Sequence, residues 1–386
     1  MAELVRIPIT LAVTDNCYTL QLLVGSKRVP INVMLDTGSS MTLVNIDVYD
    51  PAEDQAHTST SLLQTGSFEG AGRFVAALVR TPVGLPADGA AAAAVTVPQA
   101  YLGIIYNIQP GLFGQADGIL GLGYPALNSV VRMPADTMTA RYTAAQLGLG
   151  TQAGTLPPYF DQLVATGQSN KFAFWVQRSI SSKADAAMNE GIFVVGGGEQ
   201  CTDLYSGDFT SVAVAHEGYY GTNLIAVQVG DRTVQVPPMP AGTGAVSNSF
   251  IDSGNSGLML NADLYRQVLG LFNAINPAFG ENLQAPGMDQ GQLDLPAWPP
   301  LRFVLEGTGG ARVTLTVEPK DYWQFDSYGA GRATTGLSGV GGPVAGQSIL
   351  GLPLLSGHYV VFDRTGGPGN SVVKFAAQAT PAPLIA

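Results

Sequence analysis

The chain has 386 residues, a formal charge of −11 and a pI near 4.6. That length supports two lobes, each large enough to bury its own core. The acidity argues against a nucleic-acid partner, whose phosphates it would repel, and no apolar run is long enough to cross a bilayer, so no membrane partner is expected.

The first residues, Met1-Ala2-Glu3-Leu4-Val5-Arg6, lack the basic region, apolar core and cleavage site of a secretory signal. With Cys17 and Cys201 as the only cysteines there is no disulfide framework. We therefore expect two separate buried thiols and a cytoplasmic protein.

Abundant Gly and Pro in turn signals point to β structure throughout. Residues 18–24 and 29–35 alternate as strands around Gly25-Ser26, which places Asp36 at the end of a hairpin. Residues 45–61 are polar and turn-rich, and 67–79 form a second expected hairpin with glycines at Gly66, Gly70 and Gly72. The alanine tract 90–94 is expected to be a loop, since five alanines are too few to nucleate a helix. After Asp117-Gly118-Ile119-Leu120-Gly121-Leu122, residues 128–154 have the composition of an inserted loop over the cleft. A short helix is expected over 158–164, with proline in its first turn. Strands at 172–176 and 192–195 lead to Gly196-Gly197-Gly198, the expected boundary between lobes 1–198 and 199–386.

The second half repeats this plan, with a hairpin at 224–236 leading to Asp252. Asn261 should cap a helix to 275 whose inner face carries Leu264, Val268, Leu271 and Phe272. Strands at 301–305 and 313–317, a glycine-rich loop at 329–346, and strands at 359–362 and 372–375 complete it.

Two stretches carry chemistry. Val33-Met34-Leu35-Asp36-Thr37-Gly38-Ser39 and Phe250-Ile251-Asp252-Ser253-Gly254-Asn255 each run from an apolar strand into an acid, a hydroxyl residue and a glycine. Each is followed downstream by an apolar-apolar-Gly element, Ile119-Leu120-Gly121 and Ile349-Leu350-Gly351. Taken singly, either triplet is an ordinary Asp-Gly turn. Their duplication points to one carboxylate from each half. His57, His216 and His358 lack metal-site spacing, so no metal is expected. The glycine-rich runs lack the Lys-Ser/Thr of a phosphate loop, and no Gly-x-Ser-x-Gly elbow is present. No cofactor is implied.

On these motifs, together with Val194-Val195-Gly196-Gly197, Glu217-Gly218-Tyr219-Tyr220 and Tyr359-Val360-Val361-Phe362-Asp363-Arg364 in matching order, the chain resembles the pepsin-like aspartic proteases nearly end to end. It resembles in particular a member without signal, pro-segment or disulfides, such as the bacterial pepsin homologues. The resemblance implies an all-β, bilobal fold, with two related barrel-like lobes around a central cleft and a few short helices. It implies a monomeric aspartic endopeptidase acting on peptides or unfolded proteins. Activity in acid, cleavage at hydrophobic residues and sensitivity to pepstatin go with it. Asp36 and Asp252 are then catalytic. Thr37, Gly38, Ser39, Ser253, Gly254 and Asn255 support them, with Ser39 and Asn255 bonding the outer oxygen of the nearby acid.

One element departs from the family. At the hairpin that closes over substrate, Phe68-Glu69-Gly70-Ala71-Gly72 lacks the usual tyrosine, and Leu43 stands where a tryptophan usually supports it. This motivates a second reading, a pepsin-fold protein whose proteolysis is lost or repurposed toward binding or specialised metabolism.

Overall fold

The structure is a computed structural model and describes residues 4–12, 17–68, 72–86, 93–106, 113, 115–134, 150–177, 190–239, 247–326, 329–342 and 346–379. It is all-β with a few short helices and divides into two compact units, 1–170 and 171–386.

In the first unit, the strands Cys17–Val24 and Val29–Asp36 form the expected hairpin, in register from Thr19 opposite Met34 to Val24 opposite Val29. Alternation drives it: Leu20, Leu22 and Val24 on one strand and Ile31, Val33 and Leu35 on the other are buried, and each buried aliphatic side chain contributes about 1.5–3 kcal/mol. A meander follows, Thr58–Phe68, Gly72–Pro86 and Ala93–Ile105, longer than the expected 67–79 hairpin because its ladder extends from Phe68 opposite Gly72 back to Thr58 opposite Arg80.

Two expectations change here. Ala93 and Ala94 open a strand rather than sit in a loop, since Ala93 pairs with Pro86 and Val95 with Leu85; residues 90–92 lie outside the described residues. The 128–154 segment is not simply a loop. Its ends are the strands Ser129–Arg132 and Thr151–Thr155, paired with each other, and the first also pairs with Thr58–Phe68. Residues 135–149 lie outside the described residues. The helix Tyr159–Ala165 forms as expected and buries Tyr159, Phe160 and Leu163.

The division at 170/171 precedes the glycine break at 196–198, because Lys171–Val176 and Glu190–Val195 pair with each other and Lys171–Val176 also pairs with His358–Asp363. These strands share an aromatic core in which the Phe172 and Phe362 rings stack at 4.8 Å, with Phe174, Phe193 and Tyr220 packed around them. A second sheet, Leu224–Val229, Arg232–Gln235, Leu301–Glu306 and Arg312–Val317, carries the helix Ala262–Ile275. Asn261 caps that helix, accepting the Leu264 N–H at 3.0 Å, and Leu264, Val268 and Phe272 are buried while Leu271 is half-buried. The 329–346 stretch, expected as loop, contains the strands Arg332–Thr335 and Leu337–Ser338, held by pairing to Trp323–Phe325 and Leu258–Met259. Cys17 and Cys201 are buried thiols. No helix among the described residues is long and apolar enough to cross a membrane.

Candidate active site

In the first unit, Asp36 is the last residue of Val29–Asp36, which pairs in parallel with Gly118–Gly121 so that Leu35 faces Leu120 and Asp36 faces Gly121. The chain turns through Thr37-Gly38-Ser39-Ser40 and returns as Thr42–Asn45, which pairs with the other edge of Gly118–Gly121, antiparallel. The acid-bearing loop is therefore wrapped around the short apolar strand. Hydrogen bonds close it: Leu122 N–H to the Asp36 carbonyl at 2.7 Å, Gly123 N–H to the Ser39 carbonyl at 2.7 Å and Gly121 N–H to the Met41 carbonyl at 2.8 Å. The Ser40 hydroxyl donates to the Tyr124 carbonyl at 2.7 Å. Gly38 N–H donates to Asp36 Oδ1 at 2.7 Å, which fixes the carboxylate against its own turn. Asp36 and Ser39 are each 7% exposed and Thr37 is fully buried.

The second unit repeats the device. Ser249–Ile251 runs parallel to Ser348–Leu350, with Ile251 facing Leu350, and Leu258–Met259 returns antiparallel on the other side of the same strand. Asp252 follows directly, its N–H bonded to the Leu350 carbonyl at 3.1 Å, and Gly254 N–H donates to Asp252 Oδ1 at 2.8 Å. Ser253 is buried. The reason for glycine at the two supporting positions is close approach. A Cβ on Gly121 would lie 2.6 Å from the backbone of Ser40 and Met41, and one on Gly351 would lie 2.3 Å from the Asn255 and Gly257 carbonyl oxygens.

The side chains expected to brace the acids do otherwise. The Ser39 hydroxyl is buried and has no hydrogen-bond partner among the described residues. Asn255 does not reach the Asp252 carboxylate: its Oδ1 accepts Gly257 N–H at 2.8 Å and its Nδ2 donates to Met259 Sδ. An amide has two ends, and the tight 255–257 turn claims one of them. Sequence reasoning missed Ser40, Gly123 and Met259 as bracing residues; only the hydroxyl type of Ser40 hinted at it, since their partners are set by the wrapping of the loop.

Of the hairpin residues, Phe68 and Gly72 form the last pair of the ladder, and Glu69, Gly70 and Ala71 lie outside the described residues. Leu43 is fully buried with Phe74, Ala76, Ile105, Phe113 and Ile119, and Met41 packs against this group. Phe74 lies opposite Gly66 in the hairpin, and a Cβ on Gly66 would come within 2.8 Å of its ring. Phe74 thus packs with Leu43 and joins the root of the hairpin to the segment that follows Asp36.

Among the described residues no three His, Cys, Asp or Glu side chains group as a metal site. Each unit carries one carboxylate at the same point of the same wrapped loop. A family model described as eukaryotic aspartyl protease matches residues 85–378. That span includes Asp252 but not Asp36, whose case rests on the loop geometry. Gastricsin of Rattus norvegicus is 25% identical over 377 residues, covering 95% of this chain and 82% of gastricsin. Gastricsin of Mus musculus is 24% identical over 390 residues with the same coverage. With the match spanning well over half of its length, this chain belongs to the eukaryotic aspartyl protease family.

Proposed function

We propose that the protein is an aspartic endopeptidase that hydrolyses peptide bonds with Asp36 and Asp252 as its two catalytic carboxyls. The observation that carries this reading is the repeated loop, an acid at a strand end whose Oδ1 takes a glycine N–H two residues on, at 2.7 Å and 2.8 Å. One ionised carboxylate takes a proton from water as the oxygen attacks the peptide carbonyl, and the other, protonated, carboxyl donates to the developing oxyanion. The carboxyl that took the water proton then gives it to the amide nitrogen, the other carboxylate takes a proton back from a gem-diol hydroxyl, the C–N bond breaks, and the pair returns to a single shared proton. Because the step needs one carboxyl protonated and one ionised, activity belongs at acidic pH, and the two acids titrate as a pair. Family membership favours a monomer acting on an extended or unfolded peptide, cut between apolar residues.

The test is digestion of a denatured protein mixture across pH, with Asp36→Asn and Asp252→Asn as controls. Each variant should lose at least about 100-fold in rate, and a statine-type inhibitor should block the parent enzyme. Cleavage retained in either variant would defeat the mechanism. A folded parent that cleaves nothing at any pH would favour the second reading, a fold retained for binding, to which Glu69 and Leu43 point.

A further inference from the structure

Beside the Asp36 loop lies a cavity of about 10 Å³, walled in part by Ser40, Thr42, Gln64, Asn128, Tyr159 and Gln162. That volume is about one water molecule's worth of room. Two of these residues, Thr42 (5% exposed) and Gln64 (2% exposed), each carry a buried oxygen, Oγ1 and Oε1, with no hydrogen-bond partner among the described residues.

Most of the other polar side chains around the cavity are engaged. The Tyr159 hydroxyl donates to the Val83 carbonyl at 3.1 Å, and Gln162 is held by Tyr101 N–H and the Pro157 carbonyl. The orientation of Gln64 follows from its neighbours. The Leu156 carbonyl can only accept, so Asn128 presents its NH2 there, at 3.0 Å, and its Oδ1 toward Gln64. Gln64 must then give its own NH2 to Asn128, and its Oε1 is left without a partner among the described residues. A buried oxygen without a partner is costly, and two at one water-sized cavity call for one ligand that serves both.

We infer that a single internal water occupies this cavity. It accepts the Thr42 hydroxyl proton and donates to Gln64 Oε1 and to Ser40 Oγ, whose own proton is already committed to Tyr124. Three partners satisfy a buried water. Its position gives it a consequence. Ser40 and Thr42 belong to the turn and strand that follow Asp36, Gln64 lies in the strand Thr58–Phe68, and Asn128 and Leu156 flank the inserted hairpin. The water therefore completes a polar chain from the acid-bearing loop through the long hairpin to the root of the insertion, and it does so whether or not the acids cleave peptides.

A high-resolution crystal structure should show one ordered water within hydrogen-bonding distance of Thr42 Oγ1 and Gln64 Oε1, kept in Thr42→Ser and lost in Thr42→Val. Thermal melts supply a second readout. Thr42→Val should lower Tm by about 2–4 °C, with Thr42→Ser closer to the parent. Combined with Gln64→Leu, Thr42→Val should cost less than the sum of the two single changes. An empty cavity in the parent crystal, or strictly additive effects in the double variant, would overturn the inference.

Discussion

The two acid-bearing loops share a backbone and differ in their bracing. In both, a parallel apolar strand supports the acid, a glycine N–H two residues on holds its Oδ1, and a glycine at or just past the end of the supporting strand lets the loop close down. Main-chain bonds tighten both, in the second loop from Gly351 N–H to the Gly257 carbonyl at 3.1 Å and from Leu352 N–H to the Asn255 carbonyl at 2.8 Å; the first adds Ser40 reaching Tyr124, while its Ser39 hydroxyl has no partner among the described residues. The second uses a side-chain amide, Asn255, bonded to Gly257 and Met259. The chemistry constrains the placement of the carboxylate, and each half meets that constraint with whatever neighbours it has.

Replacing the shared parts should cost most, and equally in both halves. Gly121→Ala and Gly351→Ala each push a methyl into backbone atoms that cannot yield, so each should destabilise by about 3 kcal/mol. Denaturant unfolding measures this, and a tolerant Gly351→Ala would show that the second loop is not closed in the same way. Replacing the unshared parts should separate the halves. Asn255→Ala strips a bond from the buried Gly257 N–H and should cost about 1–2 kcal/mol, whereas Ser39→Ala removes an unused hydroxyl and should stay within about 0.5 kcal/mol. A large loss from Ser39→Ala would reveal a partner for that hydroxyl.

Acid should also tell the two units apart. In the first unit, burial alone would raise the Asp54 carboxyl, but hydrogen bonds from Ser26, Thr81 and Tyr49 outweigh it and hold the group well below the usual carboxylate range. In the second, burial likewise opposes ionisation of Asp363 and Glu199, and Lys374 and Lys171 overcome it from 2.7 to 2.9 Å away. The stability these depressed carboxyls contribute is complete above the unfolded carboxylate range of about 4, and is lost only as pH falls below it. His358 in the second unit behaves differently. Burial lowers its pKa, with its bond to the Leu354 carbonyl only partly opposing, so the unfolded chain binds the proton first. Stability should fall as pH drops below about 6.5. Hydrogen-exchange protection factors in His358–Asp363, corrected for the intrinsic pH dependence of exchange, should therefore fall between neutrality and mild acid, and His358→Gln should flatten that slope. An unchanged slope in the variant would remove His358 as its source.

Much of this molecule is legible in its residue order. Alternating aliphatics specify the hairpin before Asp36, Asn261 and its spaced apolar face specify a helix, and the duplicated acid-hydroxyl-glycine runs locate the candidate site. These are local signals, because strand and helix periodicity and turn chemistry act over a few residues. What the order of residues could not decide depends on partners far along the chain. Ala93 and Ala94 become strand because Gly72–Pro86 lies beside them, and the ends of the 128–154 insertion become strands because they pair with each other and with Thr58–Phe68. Asn255 turns away from Asp252 because Gly257 and Met259 lie where they do, and Phe74 packs with Leu43 because the long hairpin brings it there. Hydrogen bonds and packing contacts form with whichever atoms the fold brings near, and only the tertiary structure fixes which atoms those are.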